Sequence, residues 1–192
     1  MAQTLSDVLL YQVHAINEAS GKITPEQNDI AVESSKTIYS IIEKSKSPDA
    51  AAKKINEEYS LRSGWVTRTS QDSLDAFQSD KKSEIMQMVY SPWFYTLFHH
   101  QPKKYIKKMR CPMLAIGGEK DLQVDAVANN ALFAKNLHKN KFHQFEVIPN
   151  TNHLLQTCTT GSPDEYGVIT ETIQPQVLEL ICKWLADIAV SH

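Results

Sequence analysis

The chain has 192 residues, 42% hydrophobic and 22% charged, with 20 basic against 22 acidic side chains and a formal net charge of −2. One globular domain or slightly more is expected, and the near-neutral balance removes the global electrostatic case for a nucleic-acid binder. No apolar run approaches the roughly 20 residues that span a bilayer, so neither a membrane nor a nucleic acid is expected as a partner.

Residues 1–16 carry Asp7 and lack the basic start and continuous apolar stretch of an export signal. Cys111, Cys158 and Cys182 are odd in number and contain no C-x-x-C pair, which argues against a disulfide framework and a cysteine metal site. The expected compartment is therefore reducing and cytoplasmic, and no metal or organic cofactor is expected.

Leu5, Val8, Leu9, Val13 and Ile16 recur at helical spacing, and Gly21 supplies a residue that adopts the left-handed conformation closing a helix. Thr24-Pro25-Glu26-Gln27 places a hydroxyl cap, a proline at the first helical position and a capping-box amide in order, ahead of an apolar face through Ile30, Ile38, Ile41 and Ile42. Ser47-Pro48-Asp49 repeats the start signal for a third helix through Ala51, Ala52, Ile55 and Tyr59, stopping near Gly64. Thr67 to Lys82 is polar and reads as a loop. Ile85, Met86, Met88 and Val89 predict another helix, closed by Ser91-Pro92 because the residue before proline is pushed out of the helical region.

After Pro102 the pattern changes. Met113 to Ile116, bounded by Pro112 and Gly117-Gly118, reads as a parallel strand buried on both faces. Val124 to Leu137 has helical spacing, and Phe142 to Ile148 is a second strand-like run, which completes one β-α-β unit. Thr172 to Ala189 closes the chain as a helix with Ile173, Val177, Ile181, Trp184, Leu185 and Ile188 on one face. The fold class is α/β, with a helical segment over 1–100 and the β-α-β unit and terminal helix over 101–192. Two strands are too few for a stable sheet, so it must be completed from outside these residues or by a second copy of the chain.

In open α/β sheets the reactive groups lie beyond the carboxyl ends of the strands. There the first strand leads into Glu119-Lys120-Asp121 and the second into Asn150-Thr151-Asn152-His153, one crossover apart, so Asp121 is placed to orient His153. Asp121 is equally placed to cap a helix beginning near Leu122 or Gln123, and Asp125 and Asp164 are the alternative acids. Six other histidines compete with His153: His14, His99, His100, His138, His143 and His192. Only His153 follows the end of a predicted strand.

The run Cys111-Pro112-Met113-Leu114-Ala115-Ile116-Gly117-Gly118-Glu119-Lys120-Asp121 with Val124 resembles the strand-and-acid segment of the α/β-hydrolase family. Asn152-His153-Leu154-Leu155-Gln156, Thr160-Gly161-Ser162 and Glu165-Tyr166 resemble the histidine loop of its esterase- and peptidase-like members. The resemblance spans residues 102–186. It implies a partial α/β-hydrolase fold with residues 1–100 as a helical cap, and a serine hydrolase acting on a carboxylic ester or similar acyl bond. It also implies Asp121 and His153 as acid and base of a Ser-Asp-His triad, whose chain order is nucleophile, acid, histidine. The nucleophile elbow G-x-S-x-G occurs nowhere in the 192 residues, so the chain alone is expected to be inactive. The competing reading is a non-catalytic interaction module or pseudoenzyme that oligomerises through an open sheet edge.

Trp93, Phe94 and Phe98, with Tyr95, form an aromatic cluster that would line an acyl or aromatic substrate pocket in the hydrolase reading and otherwise belongs to a core. Lys103, Lys104, Lys107, Lys108 and Arg110 read as a solvated helix face rather than a phosphate or nucleic-acid contact. Gly117-Gly118 lacks the third glycine of a dinucleotide fingerprint and reads as a tight strand-to-loop turn.

Overall fold

A computed structural model describes residues 1–63 and 82–190. The chain is of mixed α/β class. Its elements are α1 (Leu5–Ser20), α2 (Pro25–Lys44), α3 (Pro48–Ser63), helical residues 82–90 as α4, α5 (Pro92–His99), α6 (Pro102–Ile106), β1 (Leu114–Gly118), α7 (Ala126–Asn136), β2 (Gln144–Ile148) and α8 (Pro175–Ala189). A 3-10 turn, Pro163–Glu165, precedes α8. The polar segment from Thr67 that was expected to form a loop lies outside the described residues, except for Lys82, which is helical.

The helix signals near the amino terminus operate as their chemistry requires. Gly21 closes α1 at φ 61°, where its N–H donates to the Glu18 carbonyl. The Thr24 N–H donates to Gln27 Oε1 at 2.8 Å and the Gln27 N–H to Thr24 Oγ1 at 3.3 Å, the reciprocal pair of a capping box. Thr4 and Asp7 form a second box at the start of α1, where no start signal was expected. The Ser91-Pro92 stop ends α4 but also begins α5. Ser91 Oγ accepts the Phe94 N–H, and Pro92 occupies a first-turn position whose missing N–H would have had no helical partner. The same proline logic starts α6 at Pro102; Lys103 and Lys104 lie on it, as their reading as a helix face expects, whereas Lys107, Lys108 and Arg110 lie beyond its end, and α5 was not anticipated.

The chain divides into two compact units, Met1–Val32 with Gln101–His192, and Glu33–His100. The expected division at residue 100 coincides with one border. Residues 1–32, however, cluster with the carboxyl-terminal segment, because α1 hydrogen-bonds to it through side chains whose polar character hides them from an apolar-periodicity reading. In the second unit Ile42, Ile55 and Val89 are fully buried, and Phe98 packs on Tyr39 with ring centroids 5.5 Å apart.

In the first unit β1 and β2 pair in parallel from Leu114↔Gln144 to Gly118↔Ile148. The α7 helix lies on the face carrying Ala115, Gly117 and Phe145. Phe133 and Ile106 form the buried centre there, with Ala115 and Phe145 packed against it. A side chain on Gly117 would collide with Ala126. The expected burial of both strand faces is not found: four of five positions in each strand are half-buried, and only Gly118 and Ile148 are buried. Among the described residues no third strand pairs with this sheet, so the apolar side chains of the second face lack the cover that a larger sheet would give.

Candidate functional site

The site is built where β1 and β2 end. Beyond the strands the two chain segments stay tied: the Glu119 N–H donates to the Ile148 carbonyl and the Lys120 N–H to the Thr151 carbonyl, both at 2.9 Å. The Asn150 N–H donates to Glu119 Oε2 at 2.8 Å. Gly118 sits where the carbonyls of Thr151 and Asn152 approach so closely that no Cβ fits, so this glycine sets the spacing of the acid and histidine loops.

Asp121 follows at once and divides its carboxylate between two tasks. Oδ1 accepts the N–H groups of Gln123 and Val124 at 2.8 and 2.9 Å, and Oδ2 meets His153 Nδ1 at 2.9 Å. Its side chain is 6% exposed, against 37% for the imidazole. The turn-capping and imidazole-orienting readings of Asp121 therefore coexist in one side chain. The α7 helix starts later than the sequence suggests because Asp125 is its N-cap, accepting the Ala128 N–H at 2.9 Å. Asp164 lies in the 3-10 turn, and neither alternative acid bonds His153.

The imidazole is carried by a loop that Asn152 organises. Asn152 is fully buried; its Oδ1 accepts the Leu154 and Gln156 N–H groups, and its Nδ2 donates to Gln156 Oε1 at 2.9 Å. Leu155 takes a left-handed φ of 58°, which turns the chain back toward Gln156. A second brace comes from Gly161, whose φ of 81° and contact with the Lys120 carbonyl leave no room for a Cβ. Gly161→Ala is expected to destabilise the first unit by roughly 1–3 kcal/mol, the range for a side chain forced into that backbone region. Urea unfolding followed by β1 and β2 amide exchange measures this, and an unchanged midpoint would show that the loop is not fixed here.

The amino-terminal helix supports the acid loop in a way the sequence reading missed. Tyr11 Oη donates to the Asp121 carbonyl at 2.7 Å, and Gln12 Nε2 to the Gln123 carbonyl at 3.1 Å. Gln123 Nε2 in turn donates to Tyr166 Oη at 2.8 Å. Burial, and then the charges of Asp125 and Asp121, push the Tyr11 phenol up, which keeps it a donor. The only available signal was position: Tyr11 and Gln12 fall three and four residues after the buried Val8, on the same helix face.

The hydrogen bond to Asp121, set against partial burial, raises the His153 pKa above its ordinary 6.5, and the charge of Asp121 adds to the rise. Protonated His153 therefore stabilises the folded state. That contribution is fully present below the unfolded value and is lost as pH rises through the higher folded value. An NMR titration of the imidazole is expected to give a midpoint above 6.5 that falls on Asp121→Asn. Equal midpoints in the two proteins would contradict the pairing.

Of the other histidines, His192 lies outside the described residues; His99 Nδ1 meets the Tyr95 carbonyl, His138 Nε2 the Lys107 carbonyl, His143 Nε2 the His138 carbonyl, and His14 lies 3.8 Å from Glu18. Of the aromatic residues named as substrate-lining, Phe98 is a buried core side chain of the second unit. Trp93 is 64% exposed and stacks edge-on with Phe94 at 4.7 Å. Among the described residues no group of three or more His, Cys, Asp or Glu is arranged to hold a metal ion. Comparison with protein-family models, curated proteins and solved structures finds no match to this chain.

Proposed function

We propose that this chain supplies the acid and histidine of a Ser-Asp-His triad in a serine hydrolase of α/β-hydrolase type, acting on a carboxylic ester or similar acyl bond. One observation carries the reading: a buried carboxylate, locked by two backbone N–H groups, meets His153 Nδ1 at 2.9 Å beyond the carboxyl ends of adjacent parallel strands. Nδ1 bears the proton in that bond, which leaves Nε2 as the acceptor, and Nε2 has no hydrogen-bond partner among the described residues. A serine hydroxyl from outside the 192 residues would attack the acyl carbon while Nε2 takes its proton. The imidazolium returns that proton to the departing alkoxide, leaving an acyl-serine. Water then gives a proton to Nε2 and attacks the acyl carbon, releasing the acid, and the serine recovers its proton. The half-buried strands support completion of the sheet by the same outside segment or by a second copy of the chain.

The test is to recover the native protein from its source with an antibody to this chain and treat it with a fluorophosphonate probe. A labelled serine in a G-x-S-x-G segment, with labelling abolished by His153→Ala in the same protein, is the expected result. A native species that contains no probe-reactive serine and cleaves no acyl substrate would replace this reading with the interaction-module one.

A further inference from the structure

The other end of the sheet carries a different chemistry. Between Gln101 and Gly118 the sequence has the five basic residues Lys103, Lys104, Lys107, Lys108 and Arg110 and no acidic one. Between Ala126 and Phe145 it has Lys135, Lys139 and Lys141, again with no acidic residue, in a chain whose total charge is negative. The fold joins the two segments: the Lys107 carbonyl accepts both His138 Nε2, at 2.7 Å, and the Arg110 guanidinium, at 3.3 Å. His143 Nε2 bonds the His138 carbonyl at 2.9 Å, and His143 Nδ1 accepts the Met113 N–H at 3.1 Å. These bonds fix the edge of a recess of about 510 Å³ with Leu137 and Phe145 in its lining and Lys139 and Lys141 beside them. Leu137 and Phe145 are half-buried, whereas both lysines are exposed, and Lys141 Nζ lies 4.7 Å from the Phe142 ring centroid.

We propose that this recess docks an acidic peptide segment of a partner protein, with an apolar side chain seated against Leu137 and Phe145 and carboxylates on either side paired with Lys139, Lys141 and Arg110. Charge complementarity selects the occupant. Among the described residues no carboxylate lines the recess to compete with an incoming anion, and the positive field extends onto α6. A nucleic-acid strand needs a series of exposed rings for its bases, and these two segments expose only Tyr105 and His138, the latter tied through Nε2 to the Lys107 carbonyl. A membrane surface favours apolar side chains that project past the charges, whereas here they are recessed. The site lies at the amino-terminal end of β2, away from His153, and stands whether or not the chain is part of a hydrolase.

The experiment uses the 192-residue chain and three fluorescein-labelled pentapeptides, EELEE, EESEE and KKLKK. EELEE is expected to bind, to weaken as salt is raised, and to perturb the backbone amides of residues 134–145 in NMR spectra. Removing the leucine weakens binding, KKLKK does not bind, and Lys139→Glu with Lys141→Glu lowers affinity roughly tenfold or more by adding repulsion to lost attraction. Both lysines are exposed, and unchanged spectra elsewhere establish that the variant is folded. Equal binding of EELEE and EESEE, perturbations centred away from 134–145, or tighter binding of single-stranded RNA or anionic vesicles would each overturn the proposal.

Discussion

If the proposed triad operates, Asp121→Asn is expected to lower turnover of the native protein about 10⁴-fold, the scale of the equivalent carboxylate-to-amide change in a serine-protease triad, with little loss of stability. The two roles of the carboxylate make the separation possible. The amide oxygen can take the Oδ1 position and still accept the Gln123 and Val124 N–H groups at 2.8 and 2.9 Å. Its NH₂ then occupies the Oδ2 position and donates to His153 Nδ1. The imidazole must carry its proton on Nε2, where it cannot accept one from serine. The loss is expected in kcat and kcat/KM together, since ground-state binding of the acyl substrate does not need this tautomer. Turnover retained in a folded Asp121→Asn protein would remove Asp121 from the triad role.

The pairing of Asp121 with His153 was legible because the signals on which it rests are local. A short apolar run ending in Gly117-Gly118, a helix-period segment and a second apolar run fix the β-α-β unit, and its geometry brings consecutive strand ends together. Gly21 and the Thr24–Gln27 box were legible for the same reason, since both act within one helical turn. What escaped depends on long-range polar contacts. Tyr11 reaches a carbonyl 110 residues away, and nothing in the composition of α1 marks that target. Thus α1 read as part of a separate helical segment, although its polar side chains join it to the acid loop. The α5 helix escaped because Pro92 was taken as a stop, when the first turn of a helix is also a place where its missing N–H costs nothing. Strand burial was overread because Leu114 and Ile116 are apolar whether or not anything covers them. Sequence records the capacity to be buried, and the neighbours decide whether it is used.

The loop that presents the imidazole gives the second large effect. Asn152→Ala is expected to destabilise the first unit by roughly 3–5 kcal/mol, because a fully buried side chain making three hydrogen bonds is removed. Leu154 is 45% exposed, so water can recover its N–H, but Gln156 is buried, and its N–H and Oε1 would both lose their partner. Gln156 cannot compensate by reversing its amide, because Nε2 already donates to the Glu171 carbonyl at 2.8 Å. Asn152→Asp is expected to fail for a related reason: it retains an acceptor for the two N–H groups but sets a carboxylate oxygen against Gln156 Oε1. Its penalty therefore grows as pH rises through the carboxylate range. Amide exchange at β1 and β2 under denaturant reads the stability of this unit separately from Glu33–His100. The same Asn152→Ala protein should show His153 titrating closer to its ordinary 6.5, since a loosened loop no longer holds Nδ1 against Asp121. A large stability loss with the His153 midpoint unmoved would mean that Asp121 alone orients the ring and that Asn152 serves only the fold.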